Sequence, residues 1–177
     1  YLYRVNCGGA EYADVNGSRW LAARDFAPGK SWGSVSWAAD YPDVPPAFGS
    51  RREFHDAIAG TEDEALFQSY RYGREKLRYR FAVPDGDYRL ELYFAEPWYG
   101  RGGGDCTGWR LFDVAVNDRT VLRDVDLWRE AGYARAVRKG VTARARDGWL
   151  EVSFPRVASY QAVIAAIAIS TADQTVR

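Results

Sequence analysis

The chain has 177 residues with 24 Lys and Arg against 24 Asp and Glu, a net charge of zero. That length suits one domain with a real core, and the charge balance argues against nucleic acid or an anionic membrane as main partner. Aromatic residues make up 15% of the chain, but there is one histidine, His55, so a multi-histidine metal site is excluded and acid–base chemistry near neutral pH has little to work with.

Leu2 to Asn6 alternates as a strand and ends in a Cys7-Gly8-Gly9 turn. The strand starts almost at once after Tyr1, with no basic segment and apolar stretch before it, so the chain reads as lacking a signal peptide and as a piece of something longer. Residues 16 to 60 are loop-rich, with Pro28, Pro42, Pro45 and Pro46 in them, and a loop region of this length is expected to be functional. Within it, Arg51 to Ala59 is predicted as one short helix.

Leu77 to Val83 alternates apolar and charged residues and stops at Pro84-Asp85-Gly86-Asp87, a turn signal that predicts a hairpin with Tyr88 to Phe94. Leu111 to Val116 turns at Asn117-Asp118 into Thr120 to Leu122, and Leu127 to Ala134 is expected to make a turn. Val141 to Arg146 and Trp149 to Phe154 flank Asp147-Gly148, a type I′ hairpin dipeptide. Val163 to Ile169 reads as one fully buried strand, and the longest apolar run, Ala162 to Ile169, is far too short to span a bilayer. Short strands punctuated by turns predict an all-β antiparallel sandwich. Residues 1–170 form the domain, and 171–177 read as a C-terminal tail or linker.

Most enzyme signatures are missing. Gly100 to Asp105 is glycine-rich, but it has no Gly-Lys-Ser/Thr ending and no helix after it, so it is a surface loop rather than a phosphate cradle. A Cys–His nucleophile from Cys7 or Cys106 with His55 has no supporting pattern. Two carboxylates suffice for a glycosidase, and the candidates are Glu96, Asp113, Asp124 and Asp126. The bland reading of Asp124 and Asp126 is hydrogen bonding to loop amides.

Cys7 and Cys106 lie far apart, without a CxxC pattern, each in a glycine-rich loop. In an exported protein a disulfide between them is expected, contributing about 2–4 kcal/mol. The alternative is two free buried thiols.

The aromatic set is the remaining signal. Trp20, Trp32, Trp37, Tyr41 and Phe48 fall in the long loop region, Tyr70 and Tyr72 flank Arg71, and Trp98, Tyr99 and Trp109 bracket the glycine loop. Loop aromatics can lie flat on the apolar faces of a sugar while polar groups bond its hydroxyls. Trp20, Trp37 and Trp109 are the ones expected to cap the sandwich instead. Pro97-Trp98-Tyr99-Gly100 is a poor core sequence and a good exposed platform.

An ordered series of segments carries a family resemblance. Arg4-Val5-Asn6-Cys7-Gly8-Gly9, Asp14-Val15-Asn16-Gly17, Ile58-Ala59-Gly60-Thr61, Leu66 to Tyr72, Leu92-Tyr93-Phe94-Ala95-Glu96, Phe112 to Asn117 and Asp124-Val125-Asp126-Leu127 occur in this order. Together they resemble the malectin domain, carbohydrate-binding module family 57, over residues 3 to about 170. Cys106 to Asp113 and Phe154 to Ser159 look like the modules attached to bacterial glycoside hydrolase family 2 enzymes of β-galactosidase or β-glucuronidase type.

The resemblance implies a malectin-like, galactose-binding-like jelly roll with long loops at one end, a loop-built carbohydrate site and no catalysis by the module itself. By motif position, the family's stacking residues fall on Trp32, Tyr72, Trp98 and Tyr99. Glu96, Arg71 and Gln161 are the polar partners expected beside them. The late aspartate through which the family's animal members bind glucose-containing oligosaccharides has no counterpart in Ser159-Tyr160-Gln161-Ala162, which points to a different sugar. The expected partners are an oligo- or polysaccharide and an attached hydrolase domain, in a periplasmic or secreted bacterial protein. No cofactor is expected, and a structural Ca²⁺ is left open. The competing readings are an interaction module that packs on the parent enzyme without binding sugar, and a small glycosidase using Asp113, Asp124 or Glu96.

Overall fold

The computed structural model describes residues 1–41, 43–44 and 50–172. Phe48, Pro42, Pro45, Pro46 and most of the expected tail lie outside that range. In chain order the elements are β1 (Tyr3–Asn6), β2 (Tyr12–Ala13), β3 (Arg19–Trp20), β4 (Trp32–Val35), a 3₁₀ turn (Trp37–Asp40), β5 (Arg51–Glu53), α1 (Glu64–Gln68), β6 (Ser69–Gly73), β7 (Arg78–Ala82) and β8 (Gly86–Phe94). They continue with β9 (Leu111–Val116), β10 (Arg119–Val125), α2 (Leu127–Ala131), β11 (Val137–Ala145), β12 (Trp149–Ser153), β13 (Val157–Ser159), β14 (Ala162–Ile164) and β15 (Ala166–Thr171).

Two antiparallel sheets make the all-β sandwich. One has the order β1-β15-β8-β11, and the other β10-β9-β12-β7-β4, with β13 also paired to β9. Period-2 alternation turns one face of each strand inward. Tyr79 and Phe81 from one sheet thus meet Val5, Leu90, Leu92, Ile167 and Ile169 from the other in a single core. Ring contacts cross the layers, Tyr3 on Phe81 at 5.2 Å and Phe94 on Phe112 at 6.0 Å.

β15 is buried on both faces. Its isoleucines enter the main core, while Ala166 and Ala168 face a second cluster with Trp20, Leu66, Phe67 and Tyr93. The small alanines leave room for α1.

Several local expectations are corrected. β7 and β8 are joined by the expected turn but belong to opposite sheets, and so do β11 and β12. Asp147 and Gly148 do adopt the positive φ of a type I′ turn, at 55° and 80°, yet only Arg146 and Trp149 pair across it. The turn chemistry is local, whereas the pairing is decided by which layer each apolar face can cover. The β9–β10 hairpin forms as expected. Arg51–Ala59 is not a helix; its start is the strand β5. The expected single strand at Val163–Ile169 is broken at Ala165, where the chain passes from the β6 partner to the main sheet.

A third sheet, β14-β6-β5, builds the end of the molecule that carries the candidate site. Its register sets Arg52 opposite Tyr70 and Val163 opposite Tyr72.

Both cysteines are buried and stand as free thiols in the structure, where the sequence reading expects a disulfide between them. Cys7 is fully enclosed in the main core, and its backbone carbonyl accepts from Arg71 Nε and the Tyr79 hydroxyl. Cys106 lies in the loop ahead of β9, its thiol directed at the Gly104 carbonyl. The core takes one thiol and the loop keeps the other.

Candidate functional site

Strand parity decides what β6 offers. Ser69, Arg71 and Gly73 are buried, whereas Tyr70 and Tyr72 are half-buried on the opposite face. That outer face, with Arg52 from β5 and Val163 from β14, forms the floor of a cleft of about 270 Å³. Trp98 and Tyr99 from the segment after β8, Arg110, and Tyr160 with Gln161 between β13 and β14 form the walls.

A buried ion pair holds the walls together. Glu96 is fully enclosed, and its Oε1 accepts the backbone N–H groups of Trp98 and Tyr99 at 3.0 and 3.1 Å. Arg110 meets the same carboxylate in a two-pronged contact, Nε to Oε2 at 2.7 Å and Nη2 to Oε1 at 3.2 Å. Its Nη1 donates to the Gln161 carbonyl at 2.6 Å. One carboxylate and one guanidinium therefore tie three loops into one rim, with the planar match that makes such pairs geometrically specific.

Tyr99 is the hub of the aromatic wall. Its ring lies 5.0 Å from Tyr160 and 5.6 Å from Trp109, with the Arg110 guanidinium carbon 5.1 Å from its centroid. Burial pushes its phenol up to about 12, with the charge of Arg110 opposing and Tyr160 adding to the rise. It is a neutral hydroxyl at physiological pH. Trp98 is 69% exposed, an apolar face held toward solvent by a fixed backbone.

Four of the expected site residues, Tyr72, Trp98, Tyr99 and Gln161, line this cleft. Three others do not line it. Trp32 is 3% exposed in the main core, its ring parallel to Phe81 and covered by the Arg24 guanidinium. Arg71 is fully enclosed and bonds Cys7, Ser50 and Asp25 beneath the sheet, because its neighbours Tyr70 and Tyr72 take the outward parity. Glu96 anchors the rim from behind.

Sequence reasoning missed Arg52, Arg110 and Tyr160 as site residues, and left Tyr70 out of the stacking set. The Tyr-Arg-Tyr alternation carried the signal for Tyr70. Arg52 and Arg110 meet the others only across strands and loops distant in sequence. Of the expected caps, Trp20 is buried in the second cluster, but Trp109 is 51% exposed beside Tyr99.

The carboxylates expected of a glycosidase are otherwise engaged. Asp113 accepts the Asp124 N–H at 2.8 Å, and Arg156 bridges both side chains. Asp126 caps α2 through the Arg129 N–H and holds the Gly108 N–H. No carboxylate lines the cleft among the described residues. Nor do three or more metal-ligating side chains gather anywhere among them; both oxygens of Asp14 and Oδ1 of Asp63 accept from N–H and O–H donors.

A larger hollow of about 570 Å³ lies between β10 and β11, but no aromatic side chain lines it. No helix among the described residues is long and apolar enough to cross a membrane.

The chain is 30% identical to mouse malectin (Mus musculus) over 152 residues, covering 85% of this chain and 45% of that protein. It is 28% identical to malectin-A of Xenopus laevis, over 85% of this chain and 48% of the relative. It thus spans about half the length of these relatives. Among solved structures, a β-glucuronidase of Bacteroides uniformis superposes with a TM-score of 0.77 at 24% identity, over 96% of this chain and 18% of the enzyme. The plant receptor-like kinase FER superposes with a TM-score of 0.61 at 20% identity, over 96% of this chain and 41% of that one. At these identities the two structures speak for the fold alone. The malectin domain matches from residue 1 to 176, and the chain belongs to that family.

Proposed function

We propose that this domain is a non-catalytic carbohydrate-binding module. It holds an oligo- or polysaccharide in the cleft of Tyr70, Tyr72, Trp98, Tyr99, Tyr160 and Gln161, and it directs an attached glycoside hydrolase to that glycan. The observation that carries this reading is an open cleft lined by five aromatic side chains and free of carboxylates among the described residues. Aromatic faces suit the apolar faces of a sugar, and the hydroxyl and amide groups at their edges suit its hydroxyls. Membership of the malectin family supports the lectin-like assignment.

The attachment rests on finer support. The Bacteroides uniformis β-glucuronidase carries a domain of this fold within a chain more than five times as long. In this reading the parent is a bacterial, exported enzyme of β-galactosidase or β-glucuronidase type. A module that packs on the catalytic domain without sugar calls for one flat aromatic patch; here the aromatic side chains bound a cleft, which favours the binding reading.

The test is titration of the domain against plant and algal glycans by calorimetry. Dissociation constants on the order of micromolar to millimolar are expected, weakened roughly thirtyfold by Trp98→Ala. Absence of heat with every glycan, together with unchanged adhesion of the parent enzyme carrying Trp98→Ala, would overturn the assignment.

A further inference from the structure

The charge of the cleft goes further than its aromatic walls. Its lining contains two guanidinium groups, Arg52 and Arg110, and no carboxylate among the described residues. The two arginines are not equivalent. Arg110 is neutralised by Glu96, and its Nε, Nη1 and Nη2 each have a partner within the protein. Arg52 makes no ion pair among the described residues; it is exposed, with its guanidinium carbon 5.6 Å from the Tyr72 ring centroid. The strand neighbours of Arg52 do not cancel it. Parity sends Glu53 to the other face of β5, where it lines a separate hollow with His55 and Gln68. The cleft therefore carries one uncompensated positive charge on a molecule whose net charge is zero.

Sugar hydroxyls both donate and accept. Carboxylates are common acceptors for the hydroxyl protons of neutral sugars, and among the side chains lining this cleft the acceptors are tyrosine hydroxyls and the Gln161 amide. A planar guanidinium with free N–H groups matches instead the paired oxygens of an anionic substituent. Its stacking on Tyr72 holds the group over the floor without occupying its N–H edge.

We infer that the ligand is an acidic saccharide, whose carboxylate or sulfate oxygens pair with Arg52 while a sugar ring lies against Trp98. This rests on the carbohydrate reading of the cleft and narrows it to a charge class. The uronate and the sulfate ester present the same chemistry to Arg52, so the experiment separates them.

The domain is titrated by calorimetry with polyuronates of the gluco, galacto and manno series, each beside its carboxyl-reduced neutral counterpart. Sulfated galactans are run beside their desulfated forms. At least one acidic member is expected to bind tenfold or more tighter than its neutral partner, with a preference that shrinks as salt rises from about 0.05 to 0.5 M. Which pair shows the gain identifies uronate or sulfate.

Arg52→Ala is expected to erase that preference while leaving the melting temperature unchanged, because the side chain is exposed. Arg52→Lys keeps part of it. Equal affinity within every pair, or a preference that survives Arg52→Ala, overturns the acidic class while the carbohydrate site stands. No binding of any acidic or neutral glycan overturns both readings together.

Discussion

The carboxylate of Glu96 receives the guanidinium of Arg110 at 2.7 Å, with side-chain exposures of 0% and 8%, directly behind the aromatic wall. A carboxylate that looks like a binding group in the sequence is thereby a positioning group. Its remaining acceptor capacity orders the Trp98 and Tyr99 amides. Glu96→Gln keeps an amide-compatible acceptor but leaves a buried guanidinium without its counter-charge. A loss of about 3–5 kcal/mol is expected, read as a lower urea midpoint at unchanged slope.

Trp98 and Trp32 are expected to separate function from stability. Trp98→Ala removes a side chain that is 69% exposed, so stability should stay within about 0.5 kcal/mol of the parent. Glycan affinity should fall by about 2 kcal/mol, roughly thirtyfold, as for a central aromatic anchor. Trp32→Ala empties a core position and should cost about 3–5 kcal/mol. Thermal melts and glycan titrations of the two variants check both halves.

Gly8 supports the cleft from below. A Cβ at this position would fall inside the backbone of Tyr70, well under van der Waals contact. Gly8→Ala must therefore displace β6, and about 1–3 kcal/mol of stability should be lost. Because Tyr70 and Tyr72 ride on that strand, the same variant should weaken glycan binding.

Burial pushes the phenols of Tyr12, Tyr99 and Tyr133 up to about 12 in the fold, against about 10 in an unfolded chain. For Tyr12 and Tyr133 the hydrogen-bonded carboxylates Asp63 and Asp56 add to the rise. A folded pKa above the unfolded one means the neutral phenol is favoured by folding. Its stabilisation is complete below about pH 10 and is lost as pH rises through about 12. Absorbance titration near 295 nm should show a late-titrating group of tyrosines, and the melting temperature should fall over the same interval.

Both thiols should be reduced and slow to react. Cys7 is fully enclosed, and burial pushes its thiol up to about 12. A thiol-specific chromogenic reagent should find two free thiols in denaturant and react slowly, if at all, with Cys7 in the native protein. A reductant should leave the melting temperature unchanged.

The all-β class was legible because alternation and turn residues are local signals, and so was the exposed wall residue Trp98, in a Pro-Trp-Tyr-Gly segment unsuited to a core. Tyr72, Tyr99 and Gln161 were also reached from the sequence. Trp32 was misread because a tryptophan in a loop-rich segment gives no sign that its neighbours will pair with β7. Arg71 was misread although the parity of Ser-Tyr-Arg-Tyr-Gly opposes it to the tyrosines on either side.

By itself the sequence determined the strand alternation, the positions of the turns, the neutral and aromatic character of the chain and the ordered family segments. These depend on residues within a few positions of each other. Tertiary structure alone decided that β7 and β8 part into different layers, that Cys7 sits in the core and Cys106 in a loop, and that Arg110 closes on Glu96. Among the described residues it also left Arg52 without a counter-charge in the cleft. Each of those outcomes is a competition among distant partners for one buried face or one counter-charge, and its result is set by packing in space.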